Sequence, residues 1–209
     1  MYLKGGKKVS FDFLNSVSDF LISLLAILFA ISIHEFGHAF VAHLNGDDTA
    51  KNAGRMTINP INHIDPFGMI MMFLVHFGWA KPVPVNPYNF RNEKIGNITV
   101  SFAGIFFNLI SAIIFALINK YVPILSIKAI TYSLVMYNIG FAAFNILPIP
   151  PLDGWNIVAT FLPKDLVYKI YGYSRYMTII FIILIFTNLF SVILNPIYGF
   201  FYKIVTLFL

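Results

Sequence analysis

The sequence predicts an all-α polytopic membrane protein with about four to six transmembrane helices and a re-entrant, partly extended segment after the first long helix. Hydrophobic residues make up 58% of the 209 residues and charged residues only 11%, a composition that a soluble domain of this size could not bury. Segments 14–44, 96–119, 124–147 and 175–194 are each long and apolar enough to cross a bilayer. The polar stretches are too short to build a second core, so residues 1–209 are interpreted as one integral-membrane domain.

Two shorter apolar segments have an ambiguous path. Residues 66–80 contain Gly68 and Gly78, and residues 197–209 follow a proline. Each is compatible with a tilted span, a re-entrant piece or an interfacial helix. Between the apolar segments, the alternation of residues 54–59 predicts a short strand. Residues 81–87 contain three prolines, which exclude helix and favour an extended chain.

The first apolar segment contains the motif His34-Glu35-Phe36-Gly37-His38. On a helix, this spacing places both imidazoles on one face, where they can hold a zinc ion with the glutamate beside it as general base. Burying such groups in a bilayer is costly, which favours a functional role. The alternative is a pair of histidines satisfied by hydrogen bonds within a helix bundle. Because the chain has no cysteine, any metal must be bound through nitrogen and oxygen.

Catalytic zinc needs a third protein ligand and an open position for water. Asp153 is the best candidate, because it follows an apolar span directly, in a proline-rich break where helical hydrogen bonding must lapse. At membrane depth such a break is tolerated only where it is buried in protein or lines a cavity. The alternative role for Asp153 is to cap a short helix over 154–162.

The other acids and histidines near the motifs are predicted not to bind the metal. Asp47 and Asp48, just beyond the first span, are expected to be solvated. His63 and Asp65, in the next loop, are expected to make turn or second-shell contacts. His43 points away from the 34/38 face, and His76 has no helical partner.

These motifs resemble the site-2 protease family of intramembrane zinc metalloproteases. HEFGH matches its HExxH, and the run from Asn145 to Gly154 matches its second motif, Asn-x-x-Pro…Leu-Asp-Gly. Strings at 46–50, 59–66 and 79–87 look like the compact bacterial and archaeal branch without PDZ or CBS domains, and the resemblance covers about residues 20–160. That branch often carries Gly-Pro-x-x-Asn, whereas residues 104–108 here read Gly-Ile-Phe-Phe-Asn, which leaves the role of Asn108 open.

The resemblance implies that His34, His38 and Asp153 bind one zinc ion per chain, that Glu35 is the general base, and that Asn145 engages the scissile peptide. The metal-site core is assigned to about 14–163 and the C-terminal helices to 175–209. The predicted activity is hydrolysis of peptide bonds within or near transmembrane segments of membrane proteins. Substrate identity, a prior cleavage, the gating helix and the oligomeric state stay open.

Two other functions fit the same motifs. A zinc-transporting or metal-sensing membrane protein would use the same ligands without proteolysis, and an inactive adaptor would keep the fold alone. Glu35 separates them, because a protease needs this carboxylate as a base. The net charge of +5 comes from residues scattered through short loops, which indicates topology determinants beside anionic lipid and argues against nucleic-acid binding.

The ligand set also predicts the topology. If 66–80 crossed the bilayer, His38 and Asp153 would face opposite sides, so this segment is predicted to be re-entrant. Under the positive-inside rule the more basic side is cytosolic, which places the N-terminus outside and the active site within the cell membrane, nearer the cytosol. The side with loops 45–95 and 148–175 carries Lys51, Arg55, Lys81, Arg91, Lys94, Lys164, Lys169 and Arg175; the other carries Lys4, Lys7, Lys8, Lys120 and Lys128.

Overall fold

The computed structural model describes residues 7–75, 78–185 and 187–208, and the regular elements within them are all helical. Two 3₁₀ turns, Pro60–His63 and Pro87–Asn89, lie between the α-helices. The predicted all-α membrane fold is confirmed. The α-helices are α1 (Lys7–Leu44), α2 (Thr49–Asn52), α3 (Pro66–Val75), α4 (Glu93–Tyr121), α5 (Leu125–Asn145), α6 (Asp153–Ala159), α7 (Lys164–Gly172), α8 (Ser174–Ile185) and α9 (Asn188–Thr206).

Three of these helices are long and apolar enough to cross a membrane: α1 from Val17 onward, α4 and α5. They agree with the predicted segments 14–44, 96–119 and 124–147 to within a few residues. With 29 residues, α4 is about 43 Å long, compared with about 30 Å for the hydrocarbon core of a bilayer.

The predicted fourth span, 175–194, is wrong as a single helix. The helical path is interrupted at Thr187, whose backbone is extended, and a new helix begins at Asn188. The Thr187 hydroxyl donates to the Leu184 carbonyl, which satisfies a group at the end of α8. The predicted separate segment 197–209 belongs, as far as Thr206, to α9, which contains Pro196 in its interior.

Small side chains allow the long helices to pack closely. Ala112 and Ala116 of α4 are buried against Ala142 and Ala143 of α5, and Val205 of α9 joins the same cluster. Small residues at helix contacts let the backbones approach, as is common in membrane bundles. The opposite face of α4 carries large exposed apolar side chains at helical spacing, which suits contact with lipid. These are Phe102, Phe106, Ile110, Ile114 and Leu117.

Segment 66–80 turns back on itself. Ile64 and Ala80 form an antiparallel bridge, and the Lys81 amide donates to the His63 carbonyl at 2.9 Å. A Cβ on Gly68 would lie 2.0 Å from the Trp79 carbonyl oxygen, so only glycine permits this close passage. The ten residues of α3 span only about 15 Å. The two ends of the segment therefore lie side by side, as predicted; His76, like Lys4, lies outside the described residues.

The strand predicted over 54–59 is wrong. Local side-chain hydrogen bonds hold this stretch in turns and bends: the Asn62 amide donates to the Gly54 carbonyl at 2.9 Å, and the Thr57 hydroxyl accepts from the Asn59 N–H at 3.1 Å. Such bonds compete with strand pairing. In contrast, residues 81–86 form neither helix nor turn, as their prolines predict, and we call this segment the strap. Asn86 is extended, but Pro87, which was also predicted to be extended, begins the second 3₁₀ turn.

Candidate active site

Helix α1 places His34 and His38 one turn apart, facing α4. Both side chains are buried, and their Nε2 atoms lie 3.0 Å from each other. The third predicted ligand reaches the same point from α6: Asp153 Oδ2 lies 3.1 Å from His34 Nε2 and 3.2 Å from His38 Nε2. The structure therefore brings Asp153 to two histidines that precede it by more than a hundred residues in sequence.

Hydrogen bonds on the far side of each imidazole fix its tautomer. His38 Nδ1 lies 2.7 Å from the Val100 carbonyl, so this nitrogen must donate. His34 Nδ1 lies 2.8 Å from Asn108 Oδ1. The Asn108 amide nitrogen is occupied with donating to the Ala30 carbonyl and to Asn138 Oδ1, which leaves its oxygen to accept from His34. With both Nδ1 atoms protonated, each neutral ring directs the lone pair of Nε2 toward Asp153.

Asp153 is the first residue of α6, and Leu152 occupies the cap position without a side-chain bond. The alternative role of Asp153 as a helix cap is therefore wrong. Its Oδ2 atom is buried and has no hydrogen-bond donor within the described part of the chain. Gly154 makes this placement possible, because a Cβ there would lie 2.1 Å from the Ile146 carbonyl oxygen.

The three donors fit a zinc ion. They form a triangle with sides of 3.0 to 3.2 Å, and tetrahedral coordination with bonds of about 2.0–2.1 Å separates donors by about 3.3 Å. Two imidazole lone pairs and a carboxylate oxygen that converge on one point repel one another, and a cation bound there would remove this repulsion. Nitrogen and oxygen donors of this kind suit zinc, and three protein ligands are typical of a catalytic site with one open position.

Glu35 and Asn145 lie on the same cavity as the three donors, a space of about 880 Å³ that extends toward α6 and α7. Glu35 Oε2 accepts a hydrogen bond from the backbone N–H of Val83 in the strap, at 2.7 Å. The Asn145 amide donates to the Phe141 carbonyl at 3.0 Å. All five residues singled out in the sequence therefore share one cavity.

Asn108 and Asn138 were not predicted as part of the site. Both are fully buried, and together they connect α4 and α5 to the His34 ring on α1. Asn108 was visible in the Gly-x-x-x-Asn string, although its role was left open. Asn138 lies in an apolar run without any motif, so no sequence signal marks it.

The prediction that Asp47 is solvated is wrong, because this side chain is fully buried. It accepts hydrogen bonds from the backbone N–H groups of Asn86 at 2.7 Å and Thr49 at 3.1 Å, from the Asn89 amide at 2.8 Å, and from the Thr49 hydroxyl. Burial alone would raise the pKa of Asp47, but these donors favour its charged form and lower the pKa below the usual value.

The other disfavoured residues are placed largely as predicted. Asp48 is half exposed and pairs with His43 away from the metal donors. Asp65 Oδ1 accepts from the Gly68 N–H at 2.8 Å, which is a turn contact. His63 is buried beside the strap, and its Nε2 donates to the Thr57 carbonyl at 2.7 Å.

Comparison with known proteins identifies the family. The chain is 38% identical over 191 residues to the Bacillus subtilis (strain 168) protein named "Putative zinc metalloprotease YwhC", covering 87% of this chain and 86% of that protein. Proteins named "Putative zinc metalloprotease Rip2" from Mycolicibacterium smegmatis and Mycobacterium tuberculosis are 26% and 28% identical over 73% and 65% of this chain, which spans 61% and 55% of their lengths. No family model and no solved structure matches the chain. The similarity to YwhC over most of both chains shows that the chain belongs to the site-2 protease family and is a zinc metallopeptidase of the membrane.

Proposed function

We propose that the protein is an intramembrane endopeptidase that hydrolyses peptide bonds within or near transmembrane segments of other membrane proteins. The observation that carries the proposal is the convergence of His34, His38 and Asp153 beside Glu35, on a cavity built at the ends of α1, α4 and α5. A membrane-embedded helix supplies two of the donors, so a substrate peptide bond must come to this depth to react. The whole chain acts as one metalloprotease domain.

Each residue has a distinct role in the proposed reaction. His34, His38 and Asp153 hold the zinc ion, which when bound lowers the pKa of a water molecule to about 7 and polarises a carbonyl. Glu35 accepts the proton of the attacking water and passes it to the leaving nitrogen. Asn145 uses its second amide hydrogen, which no group of the described chain accepts, to hold the scissile peptide.

The strap is the proposed binding edge for the substrate. Its residues Val83 and Val85 line the cavity, and the Val85 N–H has no hydrogen-bond partner in the described chain. A substrate helix that unwinds near the zinc would add as a strand here and satisfy its freed backbone groups. The variant Val85→Pro removes this donor, whereas Val85→Ala keeps it. Equal cleavage by the two variants would argue against strand addition.

The proposed topology is multi-pass. The meeting of the two ends of 66–80 and the three long apolar helices support a topology in which His38 and Asp153 lie on the same side of the membrane. The basic residues favour that side as cytosolic. Because the chain has no native cysteine, single Lys51→Cys and Lys120→Cys variants can be probed with an impermeant maleimide on intact cells. If the reagent labels the cysteine at position 51 and not the one at position 120, the orientation is the opposite of the one proposed.

Glu35→Gln tests the proposed function. The variant protein should keep one zinc ion per chain and lose cleavage of a single-span peptide, labelled with a fluorophore and a quencher and reconstituted with the enzyme in liposomes. The expected loss is about 10²–10⁴-fold, the usual contribution of a general base. Zinc-dependent cleavage that persists in Glu35→Gln would refute the assigned mechanism. Flux of zinc into sealed vesicles without cleavage would favour a transporter instead.

A further inference from the structure

We infer that Asp47 is a positioning residue, which sets the place of the catalytic base by anchoring the strap above it. The inference rests on the proposed role of Glu35. Asp47 itself lies beyond the end of α1 and outside the cavity, and it contacts neither the zinc donors nor Glu35. Its effect on the site passes through the backbone of residues 83–86.

The chain reaches Asp47 through a helix end that glycine makes possible. Gly46 has a φ of +106°, a conformation in which a side chain would be strained. The Asp47 N–H donates to the Ala42 carbonyl at 2.9 Å, which closes the end of α1 and turns the carboxylate inward. Both carboxylates are thereby held by α1, Glu35 within the helix and Asp47 in the turn that ends it.

The strap runs between these two carboxylates. Its Asn86 N–H donates to Asp47 Oδ2, and its Val83 N–H donates to Glu35 Oε2, each at 2.7 Å. Val83 is buried in the same apolar cluster as Ala39 of α1. Because Pro84 stiffens the connection, the position of Asn86 determines where the Val83 N–H meets Glu35.

The other end of the strap is held independently of Asp47. The Lys81 N–H donates to the His63 carbonyl, and the Arg55 guanidinium donates to the Lys81 carbonyl at 2.7 Å. The Lys81 end of the strap is therefore independent of Asp47, whereas the part from Val83 to Asn86 depends on it. This asymmetry separates a positioning role from a general contribution to folding, since a general loss of stability would release both ends.

Amide hydrogen exchange of the full chain in lipid nanodiscs tests the inference without a substrate. Four strap amides report: those of Lys81, Val83 and Asn86 are hydrogen-bonded, and that of Val85 is not. In wild type the Val83 amide should exchange more slowly than the Val85 amide. In Asp47→Asn, exchange at Val83 and Asn86 should accelerate by about tenfold or more, the protection that one charge-assisted bond supplies, while Lys81 stays unchanged.

Asp48→Asn is the matched control, because this neighbouring carboxylate is half exposed and pairs with His43. It should leave all four amides unchanged. Acceleration confined to Asn86, or equal acceleration at Lys81, Val83 and Asn86, would overturn the inference, as would fast exchange of Val83 in wild type. If Asp47→Asn fails to fold, Asn89→Ala removes one donor to Asp47 and should produce the same pattern at smaller amplitude.

A cleavage measurement with the labelled single-span peptide separates this inference from the proposed function. Asp47→Asn should keep one zinc ion per chain and lose about tenfold or more in kcat, because a base displaced by a fraction of an ångström is a costly misplacement. If the wild-type protein does not cleave the peptide, the proposed function fails, and if Glu35→Gln cleaves normally, the assigned role of Glu35 fails. If Glu35→Gln is inactive while Asp47→Asn and Asp48→Asn have equal kcat, only the role of Asp47 fails.

Discussion

Replacement of Gly104 by alanine should remove zinc without unfolding the protein. Gly104 lies on α4 directly against the two histidines, where a Cβ would come within 2.4 Å of His34 Cε1 and 2.6 Å of both His34 Nδ1 and His38 Nε2. Carbon atoms in contact are normally about 3.5–4.0 Å apart. The imidazoles or α4 must therefore move by about 1 Å to admit one methyl group.

Neither ring can make that movement freely. The His34 ring is held by Asn108 and the His38 ring by the Val100 carbonyl. Ligand positions in a zinc site tolerate only about 0.2 Å, so a shift of about 1 Å in two of three donors exceeds the tolerance several times. Loss of an outer contact alone typically weakens metal binding by about 10–100-fold. We expect the affinity of Gly104→Ala for zinc to fall by at least about 100-fold on this basis.

Gly140→Ala is the matched control. It is the same substitution in another long helix, where the nearest atom to the new Cβ, Tyr198 Cε2, is 4.0 Å away. Alanine is the better helix former by about 1 kcal/mol, so neither variant should lose helicity. Zinc per chain is measured by mass spectrometry after equilibration in chelator buffers of defined free zinc. If Gly104→Ala binds zinc as tightly as Gly140→Ala, the arrangement of α4 against the histidines is refuted.

Three further variants test the surroundings of the site. Asp153→Ala should lose at least about 100-fold in zinc affinity. Asp165 is an exposed acid on α7, so the control Asp165→Ala should keep one zinc ion per chain. Equal zinc content in the two variants would exclude Asp153 as a ligand. Asn108→Leu should weaken zinc binding by about 10–100-fold. Its control is Asn119→Leu, which also loses side-chain hydrogen bonds on α4, about 16 Å farther along the helix, and should bind zinc as wild type does. Equal losses of zinc affinity would refute the role of Asn108. The lowered pKa of Asp47 means that the folded state binds fewer protons there, so its stabilising effect should be present above about pH 4 and fade as the pH falls. The difference in thermal unfolding temperature between wild type and Asp47→Asn should therefore shrink from pH 6 to pH 3, and a constant difference would contradict this.

The sequence predicted the three long helices and the shared cavity because both depend on strong local signals. Apolar runs of bilayer length specify α1, α4 and α5 almost regardless of tertiary context. HExxH fixes two donors on one helical face, and Asp153 was identifiable because so few acids stand near a break in a span. The re-entrant path of 66–80 followed from the requirement that His38 and Asp153 lie on the same side of the membrane.

The predictions of secondary structure that failed concern features that a hydropathy profile does not reveal. The apolar run at 175–194 contains a threonine–asparagine pair at 187–188, where one helix ends and another begins. Averaged over a span, these two polar residues barely change the hydropathy. The strand predicted at 54–59 failed for the opposite reason: alternation was present, but the described residues contain no neighbouring strand, and side chains such as Asn62 and Thr57 satisfy the backbone locally.

The burial of Asp47 was not predicted because part of its surroundings comes from residues that lie far away in the sequence. A carboxylate directly after a membrane helix is normally solvated, and the nearby donor Thr49 fits an exposed turn equally well. Its burial depends on Asn86 and Asn89, which follow 39 and 42 residues later. A buried charge is retained only where several donors compensate its lost hydration, so the four hydrogen bonds to Asp47 indicate that the strap is held in place there. The strap, with its prolines, and Asp47 at the end of α1 thus act together, and only the folded chain brings them into contact.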